Sequence, residues 1–265
     1  MDGLTSLDKA IDVLEHLHDA GVPRGVTEIA NALGVPKSSA HRLLKTLVRR
    51  GFAEQETAGR YRVGPALIAL GIGSLDREPL AALARPVLEC EAAAIGETVF
   101  LVAPRGRELV VLDKAEGQGF LRAAPKVGQV VPIAATAVGR LAMAFDPLRF
   151  PPEANPPVAF TPATQLSQAA IAAAIARARS DGFAFNLGEW IEGLSVVAAP
   201  VLGAQEPPAF LGAIAVAAPS ARLDALGAFA VARRAADAAR LISLRHAGRD
   251  PAWRRGSHAR QGGAS

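Results

Sequence analysis

The chain has 265 residues, half of them hydrophobic and a fifth charged, with a formal charge of +4, one cysteine and five histidines. That length suits two domains with substantial cores, and a lone cysteine excludes an internal disulfide framework. Five arginines against one aspartate from Arg245 onward account for the whole net charge, so bulk charge says nothing about nucleic acid.

The N-terminal MDGLTSLDKA lacks the apolar core of a signal peptide, and the longest apolar runs are too short for a bilayer. The expectation is a soluble, cytoplasmic protein with no membrane partner. Residues 6–20 carry Leu7, Ile11, Leu14 and Leu17 at helical spacing, with Thr5 or Ser6 as cap and His16 and His18 in structural or solvent-facing roles. Residues 21–26 (GVPRGV) read as a loop.

The stretch VTEIANALGVPKSSAHRLLKTLVRRG, ending at Gly51, organises the sequence. Thr27 is placed to cap a short helix, with Glu28 in the first turn where the helix dipole favours an acid. Ile29, Ala30 and Leu33 give that helix its buried face, Gly34 stops it, and Val35-Pro36 makes the corner into a second helix. In the second helix Ala40, Leu43, Leu44, Leu47 and Val48 form an apolar stripe. The opposite side carries Lys37, Ser38, His41, Arg42, Lys45 and Arg49. A helix apolar behind and cationic with small hydroxyls in front, preceded by a short helix and a tight turn, suits the major groove. A solvated basic helix is the alternative for this segment alone. After Gly51, FAEQETAGRYRV reads as a hairpin with Thr57-Ala58-Gly59 at its tip, Tyr61 and Val63 on one face and Arg60 and Arg62 on the other. That is a wing, and residues 37–62 hold seven Lys/Arg against two glutamates. The reading is a winged helix-turn-helix facing double-stranded DNA.

Residues 66–73 form a hydrophobic linker helix, which either pairs with a copy of itself or packs on the next domain. Residues 80–95 are helical with Pro86 giving a kink or break, and Cys90 reads as a small buried residue. From Thr98 the period becomes that of strands: 99–103 and 108–114, with a turn at 104–107, then shorter candidates at 120–123 and 129–133. Thr136 caps a helix at 137–145 whose apolar face is Val138, Leu141, Ala142 and Phe145. A proline-rich surface loop follows at 147–164, then an alanine-rich helix at 166–180 stopped by Gly182. Strands are expected at 183–186, 194–201 and 209–217, with a loop at 187–193, and a closing helix spans 223–245. The sum is a mixed domain with one sheet, expected to be antiparallel, flanked by helices.

All five histidines lie outside residues 64–245, so no Ser-His-Asp or Cys-His nucleophile and no histidine-bearing zinc site can form there. No P-loop or dinucleotide fingerprint occurs. Carboxylate pairs such as Glu189 with Glu192 are acid/base candidates, but a loop exposing two glutamates is ordinarily solvated. A ligand-sensing domain fits better than an enzyme. The backbone N–H groups of Ala137, Val138 and Gly139 at a helix start offer a carboxylate site, or else belong to a plain capped helix. Asn186 and Glu189 sit in the facing loop, where polar side chains can orient a ligand. Leu194, Val196 and Ala198 share one strand face and Ala215 and Ala217 another, lining a cavity or filling a core.

The motifs SLDKAIDVLEHL, VTEIANALGVPKSSAHRLLKTLVRRGF, GRYRVGPALIALG, GQVVPIAATAVGRLAMAF, GEWIEGLSVVAAPV and GAIAVAAPSARL occur in this order and resemble the IclR family of bacterial transcriptional regulators over residues 4–245. The resemblance implies an α+β fold: a winged helix-turn-helix at 1–64, a linker helix at 65–79, and a GAF/profilin-like effector and oligomerisation domain at 80–246. A basic tail at 247–265 is expected to be disordered. It further implies dimers or dimers of dimers on a palindromic operator, a small organic-acid effector, control of catabolic genes, and no cofactor or metal. Lys37, Ser38, Ser39 and Arg42 are expected at base edges and nearby phosphates, with Thr27, His41, Lys45, Arg60 and Arg62 mainly on the backbone. In the effector domain the resemblance puts the amides of Ala137 and Val138 on the carboxylate, Asn186 in the pocket, and Leu121, Val131 and Leu194 on its apolar wall. Val196, Ala215 and Ala217 stand where relatives sensing small keto acids can carry thiol or hydroxyl groups, and Ala134 stands where histidine is common. So apolar a lining implies a carboxylate with an apolar or aromatic body rather than one like glyoxylate. A regulator whose second domain only oligomerises, or an enzyme fused to a DNA-binding module, are the alternatives.

Overall fold

The computed structural model describes residues 5–76, 78–119 and 125–248. The strand expected at 120–123, Leu121 with it, and the tail beyond Gly248 lie outside them. The chain divides into two compact units, Met1–Glu78 and Pro79–Ser265.

In the first unit, α1 (Ser6–Ala20) opens on a capping box, in which the Thr5 hydroxyl accepts from Asp8 N–H and the Asp8 carboxylate accepts from Thr5 N–H at 2.7 Å. Its buried residues are Val13 and Leu17, whereas Leu7 and Ile11 are exposed, so the inward face is rotated from the stripe expected. The segment read as a loop contains a strand, β1 (Arg24–Gly25). Next, α2 (Val26–Ala32) leads through Gly34, at φ +61°, into α3 (Lys37–Arg49). Only glycine adopts that left-handed turn without strain. Thr27 is not the cap of α2. The cap is Gly25, and its N–H donates to the Glu28 carboxylate at 3.2 Å, so the reciprocal acid holds the helix start. Strands β2 (Ala53–Gln55) and β3 (Arg60–Val63) make the wing, and β1 joins β3 to give the sheet order β1-β3-β2. Leu44, Leu47 and Tyr61 pack with Val13, Leu17 and Ile29 in one core, and Ala40 is fully buried. The segment expected as a linker lies in a helix, α4 (Pro65–Asp76), which exposes Ile68, Leu70 and Ile72.

The second unit begins with α5 (Pro79–Ile95), which runs on through Pro86; Cys90 is exposed on it, contrary to the buried position expected. Strands β4 (Thr98–Arg105) and β5 (Glu108–Ala115) form a hairpin. Its turn is only Gly106-Arg107, because Pro104 still pairs with Leu109. The segment 129–133 is not a strand; it meets the sheet through a single bridge, Val110 with Val130. Then come α6 (Ala137–Phe145) and a loop that holds a 3-10 turn at Pro152–Ala154. This loop is anchored rather than purely superficial, since Phe150 is fully buried. After α7 (Gln168–Asp181) come β6 (Ala184–Leu187), β7 (Leu194–Leu202) and β8 (Phe210–Pro219). The closing helix is two helices, α8 (Ser220–Leu226) and α9 (Ala228–His246), broken at Gly227 where φ is +78°.

The five strands form one antiparallel sheet in the order β5-β4-β8-β7-β6. Alternation along the strands divides their side chains between two cores. Val99, Leu101, Val197, Ile214 and Val216 meet α5 and α9 on one face. Phe100, Val102, Ala198, Ala215 and Ala217 meet α6 and α7 on the other. The second face is shallow because alanine supplies so much of it, and α6 lies on it with every residue from Ala137 to Ala144 buried.

Candidate functional site

On α3 the apolar stripe and the cationic side separate as the period dictates. Ala40, Leu44 and Leu47 are buried, while Lys37, Ser38, His41, Arg42, Lys45 and Arg49 are exposed and Ser39 is half-buried. Lys37, Arg42, Lys45 and Arg49 make no ion pair among the described residues, so their charge is available to an anionic partner. Thr27 is exposed in the first turn of α2.

The wing arginines are held differently. Arg60 Nη2 lies 3.1 Å from the Glu28 carboxylate, and Arg60 Nε donates to the Pro23 carbonyl at 2.9 Å. Arg62 pairs with Glu54 at 2.8 Å and Glu56 at 3.7 Å. Both do face away from the buried Tyr61, as alternation requires, but their charge is already countered inside the protein. The Gly25 N–H above all, then Arg60 and Arg24 nearby, hold the Glu28 carboxyl below the ordinary glutamate range despite some opposing desolvation.

In the second unit the fold gathers Val131, Ala137, Val138, Leu194, Val196, Ala215 and Ala217 into one apolar cluster under α6. At the start of α6 the Thr136 hydroxyl accepts from Gly139 N–H at 3.0 Å. The Gly139 amide is thus taken, which corrects the set of three free amides and leaves those of Ala137 and Val138. A Cβ on Gly139 would lie 1.7 Å from the Ile133 carbonyl oxygen, so only glycine lets the segment before α6 fold back this closely.

Asn186 is 2 % exposed and ties the edge strand to this helix start. Its Nδ2 donates to the Ala135 carbonyl, and its Oδ1 accepts from Glu189 N–H at 3.0 Å. Glu189 is not solvated. Its carboxylate is ion-paired with Arg140 and accepts from Gln165 N–H at 3.3 Å, with side chains 13 % and 7 % exposed for Glu189 and Arg140. Arg140 also donates to the Phe185 carbonyl. Asn186 and Glu189 therefore fix the loop 188–193 and the first turn of α6 in place. Arg140 is the residue the sequence reading missed, and its signal was an arginine inside the apolar run AVGRLAMAF. A buried cation in such a helix needs an acid opposite it.

Among the described residues no helix is long and apolar enough to cross a membrane. Two family profiles match the chain: the IclR helix-turn-helix domain over residues 6–57, and the bacterial transcriptional regulator IclR C-terminal region over residues 72–244. The transcriptional regulator XynR of Escherichia coli K12 is 32 % identical over 205 residues, covering 75 % of this chain and 80 % of that protein. The solved structure of Thermotoga maritima IclR superposes with a TM-score of 0.77 at 24 % identity, covering 91 % of this chain and 98 % of that one. An IclR homolog from Microbacterium hydrocarbonoxydans, solved in complex with 4-hydroxybenzoate, superposes with a TM-score of 0.74 at 20 % identity, covering 91 % and 98 %. At those identities the two structures establish the fold. With one family matched at both the helix-turn-helix unit and the sheet domain, in the order the structure presents them, the chain belongs to the IclR family of bacterial transcriptional regulators.

Proposed function

We propose that this regulator binds a palindromic operator as a homodimer or dimer of dimers and answers to a small carboxylic acid with an apolar or aromatic body, controlling genes for that acid's catabolism. Lys37, Ser38, Ser39 and Arg42 read base edges and adjacent phosphates. Thr27, His41 and Lys45 contact the backbone, and Arg60 and Arg62 do so by exchanging their glutamate partners for phosphate. The exposed Leu7, Ile11, Ile68, Leu70 and Ile72 support self-association of the first unit.

The observation that carries the effector reading is the cluster beneath α6. Two unfilled helix-start amides at Ala137 and Val138 meet a floor with no polar side chain at 196, 215 or 217. Amides and dipole suit a carboxylate, and the alanine floor suits an apolar body. The 4-hydroxybenzoate bound by the similar Microbacterium protein is consistent with that class. Calorimetric titration of the full chain tests it: aromatic acids bind and glyoxylate does not, and tight glyoxylate binding with none for aromatic acids overturns it. A second reading, in which this domain only oligomerises, draws on the internal commitments of Asn186 and Glu189. A melting temperature unmoved by a panel of organic acids would favour that reading.

A further inference from the structure

The sheet register places four side chains in one row across the α6 face. Thr98 on β4 pairs with Ala217 on β8, Ala217 with Val196 on β7, and Val196 with Asn186 on β6. Three members of this row are expected effector residues, and the fourth is a threonine that the sequence reading did not single out. Thr98 shares its face with Phe100 and Val102, which belong to the cluster beneath α6. It is 1 % exposed, and its Oγ1 has no hydrogen-bond partner among the described residues. A buried hydroxyl left in this way costs stability that an isosteric valine would not. Its neighbour Glu97 is no substitute partner, being ion-paired with Arg222 at 2.6 Å.

The opposite end of the row is already polar. Asn186 holds the Ala135 carbonyl, which fixes the start of α6 and the free amides of Ala137 and Val138 over that end. From Asn186 to Thr98 is three strand spacings, about 14 Å, with only Val196 and Ala217 between. The floor is thus polar at both ends and apolar in the middle.

We propose that Thr98 is a specificity-determining residue, whose hydroxyl hydrogen-bonds a second polar group at the end of the effector remote from its carboxylate. The effector class narrows to carboxylic acids with a ring-sized apolar body and a distal hydroxyl. This rests on the carboxylate reading given above, with the carboxylate at α6 and the body over Val196 and Ala217. A hydroxyl on the ligand donates to or accepts from Thr98 Oγ1 and meets the polar capacity the fold leaves open.

The test is calorimetry of the full chain with benzoate and 4-hydroxybenzoate, on wild type, Thr98→Val and Thr98→Ser. Wild type should prefer the hydroxylated acid by about three- to tenfold, the worth of one hydrogen bond. Thr98→Val should lose that preference while keeping its benzoate affinity, and Thr98→Ser should retain it. Thr98→Val should also melt no lower than wild type, which separates a lost contact from a lost fold. Equal binding of both acids by wild type, or an intact preference in Thr98→Val, overturns the role of Thr98 and leaves the carboxylate site standing. Binding of neither acid by the folded wild type overturns the carboxylate reading and this inference together.

Discussion

Arg60 on the returning wing strand is bound to Glu28 in the first turn of α2, so one ion pair ties the wing to the helix pair it flanks. Arg60 also holds the Pro23 carbonyl beside β1. With side chains roughly two-fifths exposed the ion pair itself is worth little, but the backbone bond goes with it. Arg60→Ala is expected to destabilise the first unit by about 1 kcal/mol. Urea unfolding followed by circular dichroism would measure this, and an unchanged midpoint would mean that the wing holds its position without Arg60.

Glu28 gives that linkage a pH signature. Its folded-state pKa is depressed, first by the Gly25 N–H and then by Arg60 and Arg24. A depressed carboxyl contributes stability above its unfolded value, about 4.3, and that contribution disappears as pH falls through the folded value. Glu28→Gln should therefore melt below wild type at pH 7, and the two should converge as the pH is lowered past that window. A gap that does not shrink at all as the pH is lowered through that window would remove Glu28 as the acid-sensitive group.

The free cations of α3 predict two distinguishable defects. Arg42→Ala should cost specific operator binding by about 1–3 kcal/mol if it reads a guanine, and should relax preference at one base position. Lys45→Ala should weaken all DNA alike and lower the salt dependence of binding by about one unit of slope. Mobility-shift titrations over a range of salt concentrations separate the two, and identical behaviour of both variants would reject the division into base and phosphate contacts.

The buried pair of Arg140 on α6 with Glu189 makes a different kind of prediction. Glu189→Ala leaves a buried guanidinium uncompensated and should cost about 3–5 kcal/mol. Replacing both partners by methionine should recover most of that loss, because the pair's attraction is offset by its desolvation. Chemical denaturation of the single and double variants measures the difference. A double variant as unstable as the single would show that packing, not charge, sets the cost.

Periodicity made α3 legible, since a stripe of Ala40, Leu44 and Leu47 opposite a run of cations has one buried solution. The same reasoning misplaced Leu7 and Ile11, because a helix with apolar residues on two sides can be turned either way by its partner. It gave Thr27 a cap that belongs to Gly25, where the reciprocal acid mattered more than the hydroxyl. In the second unit the strands were legible from alternation and the α6 cap from Thr136. The row from Thr98 to Asn186 was not, because register between strands distant in sequence is set by the whole sheet. The burial of Glu189 was hidden for a related reason: its partner Arg140 is 49 residues away along the chain.

The most direct test of the account is a nuclease footprint of the purified protein on DNA upstream of its own gene, with and without 4-hydroxybenzoate. The account predicts a protected inverted repeat with half-site centres about 10 base pairs, or a multiple of that, apart, and protection that the acid alters. No protection at low salt by folded protein would contradict the groove role of α3. Protection indifferent to every acid tested would leave the groove role of α3 in place and contradict the sensing role proposed for the cluster beneath α6.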